Sequence, residues 1–176
     1  MTHLVFETHS TSDDNEAGIA SGWNHSRLAS SGRERAAELG ARRRDDGIAA
    51  VFTSDLLRAR ETAEIAMGGS GIPIFFDWRL RECDYGDGNG MPSAELHHDR
   101  SAYIDTPYPR GESWATAVAR VKGALDDIAA RYPDQRVLVI GHVATRWALD
   151  HYATGRTLLD LATADFAWQE GWEFDY

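Results

Sequence analysis

Short apolar strands separated by helix-forming segments are the feature that most limits the fold of this chain. The apolar runs lie at residues 3–7, 48–54, 72–76 and 136–141, and the segments with helix-forming composition lie at 29–47, 55–67, 112–132 and 144–153. Strands that alternate with helices favour a parallel sheet covered on both faces. We therefore predict a three-layer α/β/α sandwich with a mostly parallel central sheet, formed by a single domain over residues 1–176.

Two segments lie outside this alternation. Residues 79–109 contain spaced glycines and show no clear period, which predicts an irregular connection. The last segment, 166–176, is rich in aromatic residues and predicts one or two further strands.

Composition and charge exclude several classes of function. The net charge of −10 disfavours binding to nucleic acid, so an anionic ligand would need a local basic pocket. The single cysteine, Cys83, cannot form an internal disulfide or a thiolate metal cluster. No apolar run approaches the roughly 20 residues of a membrane span, and the first residues lack a signal-peptide pattern. We expect a cytoplasmic protein without membrane contact.

Polar residues follow three of the predicted strands at the point where each strand ends. His9 follows the first strand, Ser54 and Asp55 follow the second, and His142 follows the fourth. Ligands of open α/β sheets gather at the carboxyl ends of the strands. Either histidine alone would fit a capping or packing role, but the pair predicts a site at this edge. No carboxylate or cysteine accompanies them at metal-ligand spacing, so no metal is predicted.

Five motifs in order resemble the histidine phosphatase superfamily, in its phosphoglycerate mutase-like branch. In that branch a strand leads into Arg-His-Gly-Glu-Thr-x-x-Asn, and His9 and Asn15 match this pattern here. The other four matching segments cover most of the remaining chain: SDLLRARETA (54–63), LRECDYGDGNG (80–90), PRGESW (109–114) and VLVIGH (137–142).

The resemblance implies roles for individual residues. His9 would be the nucleophile that becomes a phosphohistidine, and Arg58 and His142 would bind the transferred phosphoryl group. Glu82 would protonate the leaving alkoxide and then activate water. No metal or cofactor is implied. Substrate contacts are expected from six further residues: Thr8, Ser10, Asn15, Ser21, Glu112 and Ser113.

The chain departs from the family pattern next to the predicted nucleophile. Thr8 stands where the family has an arginine, while Ser10 and Thr11 replace its glycine and glutamate. A charge-assisted hydrogen bond contributes about 1.5–3 kcal/mol, so its loss would slow the reaction by about 10- to 150-fold. Arg60 or Arg146 would be a substitute cation, or nearby hydroxyl groups would donate to the phosphate instead.

The function predicted from these residues is hydrolysis of a small phosphorylated metabolite through a phosphohistidine. A phosphoglycerate-type mutase is the alternative enzyme, disfavoured because 176 residues leave little room for insertions that close the site. A non-catalytic module that binds a phosphorylated ligand or a partner protein is the alternative that Thr8 favours. The alcohol that carries the phosphate is left open, and a homodimer would be compatible with the sequence.

The sequence also predicts positions for several aromatic and histidine side chains outside the motifs. Trp23 and Trp78 are predicted to line the substrate pocket, and Trp168 is predicted to pack in the core or at the sheet edge. His97 is expected in a solvated loop that forms part of a lid.

Overall fold

A five-stranded sheet forms the centre of the computed structural model, which describes residues 1–176. The chain contains seven strands: β1 (His3–Thr8), β2 (Ile19–Ala20), β3 (Ile48–Thr53), β4 (Ile74–Phe76), β5 (Met91–Pro92), β6 (Arg136–Gly141) and β7 (Trp172–Asp175). The central sheet has the order β4-β3-β6-β1-β7, and β2 pairs with β5 separately. Only β7 is antiparallel to its neighbour in the central sheet.

Helices cover both faces of the central sheet. They are α1 (Asp13–Glu16), α2 (Ser30–Arg43), α3 (Leu57–Met67), α4 (Ser93–His98), α5 (Trp114–Arg131), α6 (Val143–Thr154) and α7 (Leu158–Thr163). Alternate residues of β1 point to opposite faces. Val5 packs with the α2 and α3 side, whereas Leu4 and Phe6 pack with α5 and α6. The structure thus confirms the predicted three-layer sandwich with a mostly parallel sheet.

The structure also contains elements that the sequence pattern did not predict. Between Trp78 and Tyr103 the chain contains α4, the short strand β5 and three 3-10 turns at Trp78–Leu80, Gly86–Gly88 and Arg100–Tyr103. Helix α7 lies between the last predicted helix and the tail, whereas the tail forms one strand, as predicted. Each of these elements has six residues or fewer, so none is long enough to show a clear hydrophobic period.

A glycine allows α2 and α3 to approach closely. A Cβ atom on Gly40 of α2 would lie 2.3 Å from the carbonyl oxygen of Ala66 in α3. Gly123 of α5 has no such neighbour, since its nearest atom would be the Arg79 Nη1 at 3.9 Å. A methyl group would therefore collide with α3 at Gly40 but would fit without a collision at Gly123.

This difference gives a prediction for stability. Gly40→Ala should lower the free energy of unfolding by about 1–3 kcal/mol, because the helices must separate to admit the methyl group. Gly123→Ala should raise it by up to about 1 kcal/mol, because alanine favours the helix. Urea denaturation of both variants would measure the effects, and equal changes would contradict the proposed contact.

The longest helix, α5, has 18 residues, and neither it nor any other helix is long and apolar enough to cross a lipid bilayer.

Candidate active site

A cavity of about 500 Å³ opens at the carboxyl edge of the central sheet, beside the ends of β1 and β6. The structure brings to this cavity all four predicted catalytic residues and four of the six predicted substrate contacts. These eight lining residues are Thr8, His9, Ser10, Asn15, Ser21, Arg58, Glu82 and His142.

His9 is held in one tautomer at the floor of the cavity. Its Nδ1 lies 2.8 Å from the backbone carbonyl of Ser10, and because a carbonyl only accepts, Nδ1 carries the proton. The Nε2 atom is therefore unprotonated, and its lone pair accepts a hydrogen bond from Arg58 Nε at 3.3 Å. Burial, together with the charge of Arg58, lowers the pKa of His9 to about 3. His9 is therefore a neutral imidazole at neutral pH.

His142 lies beside His9 in a similarly defined tautomer. Its Nδ1 is 3.4 Å from Arg58 Nη2, and its Nε2 is 2.7 Å from Ser54 Oγ. Because a guanidinium only donates, Nδ1 accepts and Nε2 donates to the serine hydroxyl. Burial, then the charges of Arg58 and His9, hold the pKa of His142 well below its usual range. The two imidazole rings are 5.0 Å apart.

Arg58 connects both histidines to the neighbouring loop. Its guanidinium is buried and donates to the carbonyl oxygens of Gly22 at 2.9 Å and Asn24 at 3.1 Å. Gly22 has a φ of +53°, and a Cβ atom there would lie 1.9 Å from Asn89 Oδ1, so this loop position requires glycine. The two carbonyls fix the guanidinium next to the imidazoles.

Glu82 occupies the N-terminus of α6. Its Oε1 accepts hydrogen bonds from the backbone N–H of Cys83 at 2.9 Å and of Ala144 at 3.0 Å. Its Oε2 accepts from the N–H of Val143 at 3.1 Å. A helix N-terminus favours a negative group, so the helix itself positions this carboxylate. Oε2 has this one partner only, so it can take part in a further hydrogen bond.

Comparison with known proteins identifies the family of this chain. The family model of the histidine phosphatase superfamily (branch 1) matches residues 4–167. The chain belongs to this superfamily. The roles of His9, Arg58, Glu82 and His142 at a phosphoryl site stay a prediction.

Relatives within the superfamily include phosphatases and mutases. The chain is 32% identical to the uncharacterized phosphatase PhoE of Bacillus subtilis, over 85% of this chain and 76% of that protein. It is 33% identical to the probable phosphoglycerate mutase GpmB of Erwinia tasmaniensis, over 81% and 70%. The structure of YhfR from Bacillus stearothermophilus superposes with a TM-score of 0.86 at 30% identity, over 97% and 88%. Superfamily membership thus supports a phosphatase or mutase activity.

Asn15 and Ser21 line the cavity, and each already forms hydrogen bonds with neighbouring residues of the protein. Asn15 Oδ1 accepts from the backbone N–H and the hydroxyl of Ser12, which caps α1. Its Nδ2 group has no protein partner and is available to a ligand. Ser21 Oγ donates to Asp14 at 2.7 Å. Contact of these two side chains with a substrate stays a prediction.

Glu112 and Ser113 do not line the cavity, although both were predicted to contact the substrate. Ser113 caps the N-terminus of α5. Glu112 forms a bidentate ion pair with Arg120, at 2.8 and 2.7 Å. Arg120 in turn donates to the carbonyl oxygen of Glu82 at 3.1 Å. Glu112 therefore holds Arg120, which in turn contacts the backbone of Glu82. No motif in the sequence indicated this role for Arg120.

Trp23 and Trp78 are likewise absent from the cavity lining. Trp23 lies behind Glu82 and donates from its indole nitrogen to the Glu82 carbonyl at 2.7 Å. Trp168, predicted to be packed, is instead 57% exposed and lines the cavity, where its indole nitrogen is 3.3 Å from Thr8 Oγ1. His97, which was expected in a lid, lines the cavity from α4.

Neither arginine suggested as a substitute for the missing cation reaches the cavity. Arg60 pairs with Glu64 at 2.7 Å on the exposed side of α3. Arg146 pairs with Asp150 at 2.8 Å and stacks on the ring of Trp172. The structure therefore excludes both as cations at the site in this conformation.

The two low histidine pKa values predict how stability depends on pH. Below pH 6.5 the unfolded chain takes up protons at His9 and His142 that the folded protein does not, so the free energy of unfolding falls as pH falls. His9→Asn should reduce this slope between pH 6.5 and 5 by up to about 1.4 kcal/mol per pH unit. Denaturant titrations across this pH range measure the slope, and an unchanged slope would contradict the burial of a neutral His9.

Proposed function

We propose that the protein hydrolyses a small phosphomonoester through a phosphohistidine on His9. The observation that carries this proposal is the tautomer of His9, a cavity-lining residue whose Nε2 is unprotonated and accepts from Arg58, with the His142 ring 5.0 Å away. An imidazole that is neutral at physiological pH is a competent nucleophile toward phosphorus.

In the first step His9 Nε2 forms a bond to phosphorus while the bond from phosphorus to the alcohol oxygen breaks. Arg58 Nε donates to an equatorial phosphoryl oxygen in place of the imidazole, while Nη1 and Nη2 keep their hydrogen bonds to Asn24 and Gly22. Glu82 transfers a proton from Oε2 to the departing alkoxide. Glu82 therefore enters this step with a proton and leaves it as a carboxylate.

In the second step water attacks the phosphohistidine. The carboxylate of Glu82, now without its proton, takes one from the water, and the bond from phosphorus to His9 Nε2 breaks. Inorganic phosphate leaves, and both residues return to their initial protonation states. Neither step requires a metal ion or another cofactor.

Hydrolysis is favoured over mutase chemistry by the accessibility of the site. A mutase must retain a bisphosphate through turnover, whereas water must reach the phosphohistidine of a phosphatase. Part of the cavity rim is exposed to solvent, including Phe166, Trp168 and His97. Helix α4, which has six residues, contributes Ser93 and His97 to the cavity lining.

Phosphate release from a panel of phosphomonoesters, with EDTA present, tests the proposal. The panel should include sugar phosphates, phosphoglycerates, nucleotides and p-nitrophenyl phosphate. We expect release of inorganic phosphate that needs no bisphosphate primer. Isomerisation of phosphoglycerate that depends on a bisphosphate would instead establish a mutase, and binding without turnover would favour the non-catalytic alternative.

A further inference from the structure

The negative charge of a bound phosphomonoester must be balanced by positive charge in the cavity. A phosphomonoester carries a charge of about −1.5 to −2 at neutral pH. Both imidazoles there are neutral, since the pKa of His9 and that of His142 are lowered, so Arg58 is the one cation in contact with them. Glu82 adds a further carboxylate to the same cavity. A second cation would relieve this imbalance.

Three arginines line the cavity, and their partners differ. Arg58 is committed to the carbonyls of Gly22 and Asn24. Arg42 approaches the buried carboxylate of Glu7 at 3.5 Å. Arg35 donates to neither a carboxylate nor a carbonyl group, and its one partner is the hydroxyl of Thr11, at 3.4 Å. Arg35 therefore forms no ion pair, although Glu38 of the same helix also lines the cavity.

The packing of α2 places Arg35 close to the catalytic loop. A Cβ atom on Gly32 would lie 1.9 Å from the carbonyl oxygen of Thr11, so the first turn of α2 is pressed against the residues after His9. Arg35 follows Gly32 by three residues, about one helical turn, and its flexible stem lies at the exposed rim of the cavity. Thr11 itself is two residues from the nucleophile.

We propose that Arg35 is a phosphate-binding residue of this protein. Its guanidinium leaves the Thr11 hydroxyl and binds the phosphoryl oxygens from the α2 side. It thereby supplies the second positive charge that Thr8, at the end of β1, does not. This inference deepens the proposed function, because it names a binding residue of the same site.

Binding of inorganic phosphate measured by calorimetry tests this inference separately from turnover. Arg35→Met removes the positive charge and keeps an unbranched side chain. Because Arg35 is exposed at the rim of the cavity, the variant should fold normally. Arg33→Met is the matched control, since Arg33 lies on the same helix outside the cavity and is 4.0 Å from Glu61. We expect Arg35→Met to weaken phosphate binding by about 10- to 150-fold, and Arg33→Met to leave it within about twofold.

The kcat/KM for p-nitrophenyl phosphate should fall by a similar factor in Arg35→Met. If the wild type binds phosphate through Arg35 but turns over no ester, the inference stands and the proposed function fails. Equal phosphate affinities in wild type and Arg35→Met would overturn the inference, whatever the turnover. Absence of phosphate binding in the wild type would overturn it as well.

Discussion

Replacement of His9 by asparagine should reduce phosphate release by about 10⁴-fold or more, because the variant has no nucleophile to accept the phosphoryl group. Asparagine is close to histidine in size and preserves a polar side chain at the cavity floor. Arg58 and His142 should keep their positions, since they are held by Gly22, Asn24 and Ser54. Initial rates with the best ester of the panel would measure the loss.

The matched control for this substitution is His98→Asn. His98 is an exposed residue of α4 outside the cavity lining, so the same change there should leave the rate within about twofold. Calorimetric binding of phosphate to His9→Asn shows whether the site is still formed. Release that persists undiminished in a folded His9→Asn would contradict the nucleophilic role.

Glu82→Gln should lower kcat by about 10²- to 10⁴-fold for esters of poorly acidic alcohols, the range expected for loss of a general acid. The amide also has a structural effect. If its oxygen takes the place of Oε1 and accepts from Cys83 and Ala144, its NH₂ group faces the N–H of Val143. That donor-to-donor contact should lower the free energy of unfolding by about 1–3 kcal/mol.

The acidity of the leaving group separates the catalytic effect of Glu82 from the structural one. p-Nitrophenolate departs without a proton, so phosphorylation of His9 by p-nitrophenyl phosphate should be much less sensitive to Glu82→Gln than phosphorylation by an alkyl phosphate. Stopped-flow measurement of the first turnover would compare the two. Equal losses for both esters would argue against Glu82 as the proton donor.

The fold could be predicted because its central strands are both apolar and regularly spaced. Strands β1, β3 and β6 are buried between helices, so each forms a continuous apolar run that composition alone reveals. Parallel pairing then brings the ends of β1 and β6 to one edge, which is why His9 and His142 could be placed together. The short elements α4, α7 and the β2–β5 pair depend on tertiary contacts and carry no comparable pattern.

The parts of the site that were missed depend on contacts between distant segments. Glu112 matched a family motif, but its direction is set by Arg120, eight residues further along the chain. Trp168 reaches Thr8 because the segment before β7 crosses the end of β1, a path that local sequence does not encode. Arg35 belongs to no motif, and its place at the site depends on the close approach of Gly32 to the Thr11 carbonyl, which joins α2 to the catalytic loop.

A phosphoryl group trapped on His9 would test the central claim most directly. Rapid mixing of the wild type with p-nitrophenyl phosphate, quenching in alkali and peptide mass analysis would locate the label, because phosphohistidine survives alkali and hydrolyses in acid. We predict one phosphoryl group on the peptide that contains His9, formed and lost at rates that match turnover, and absent from His9→Asn. Turnover with no label, or with the label on another residue, would contradict the mechanism.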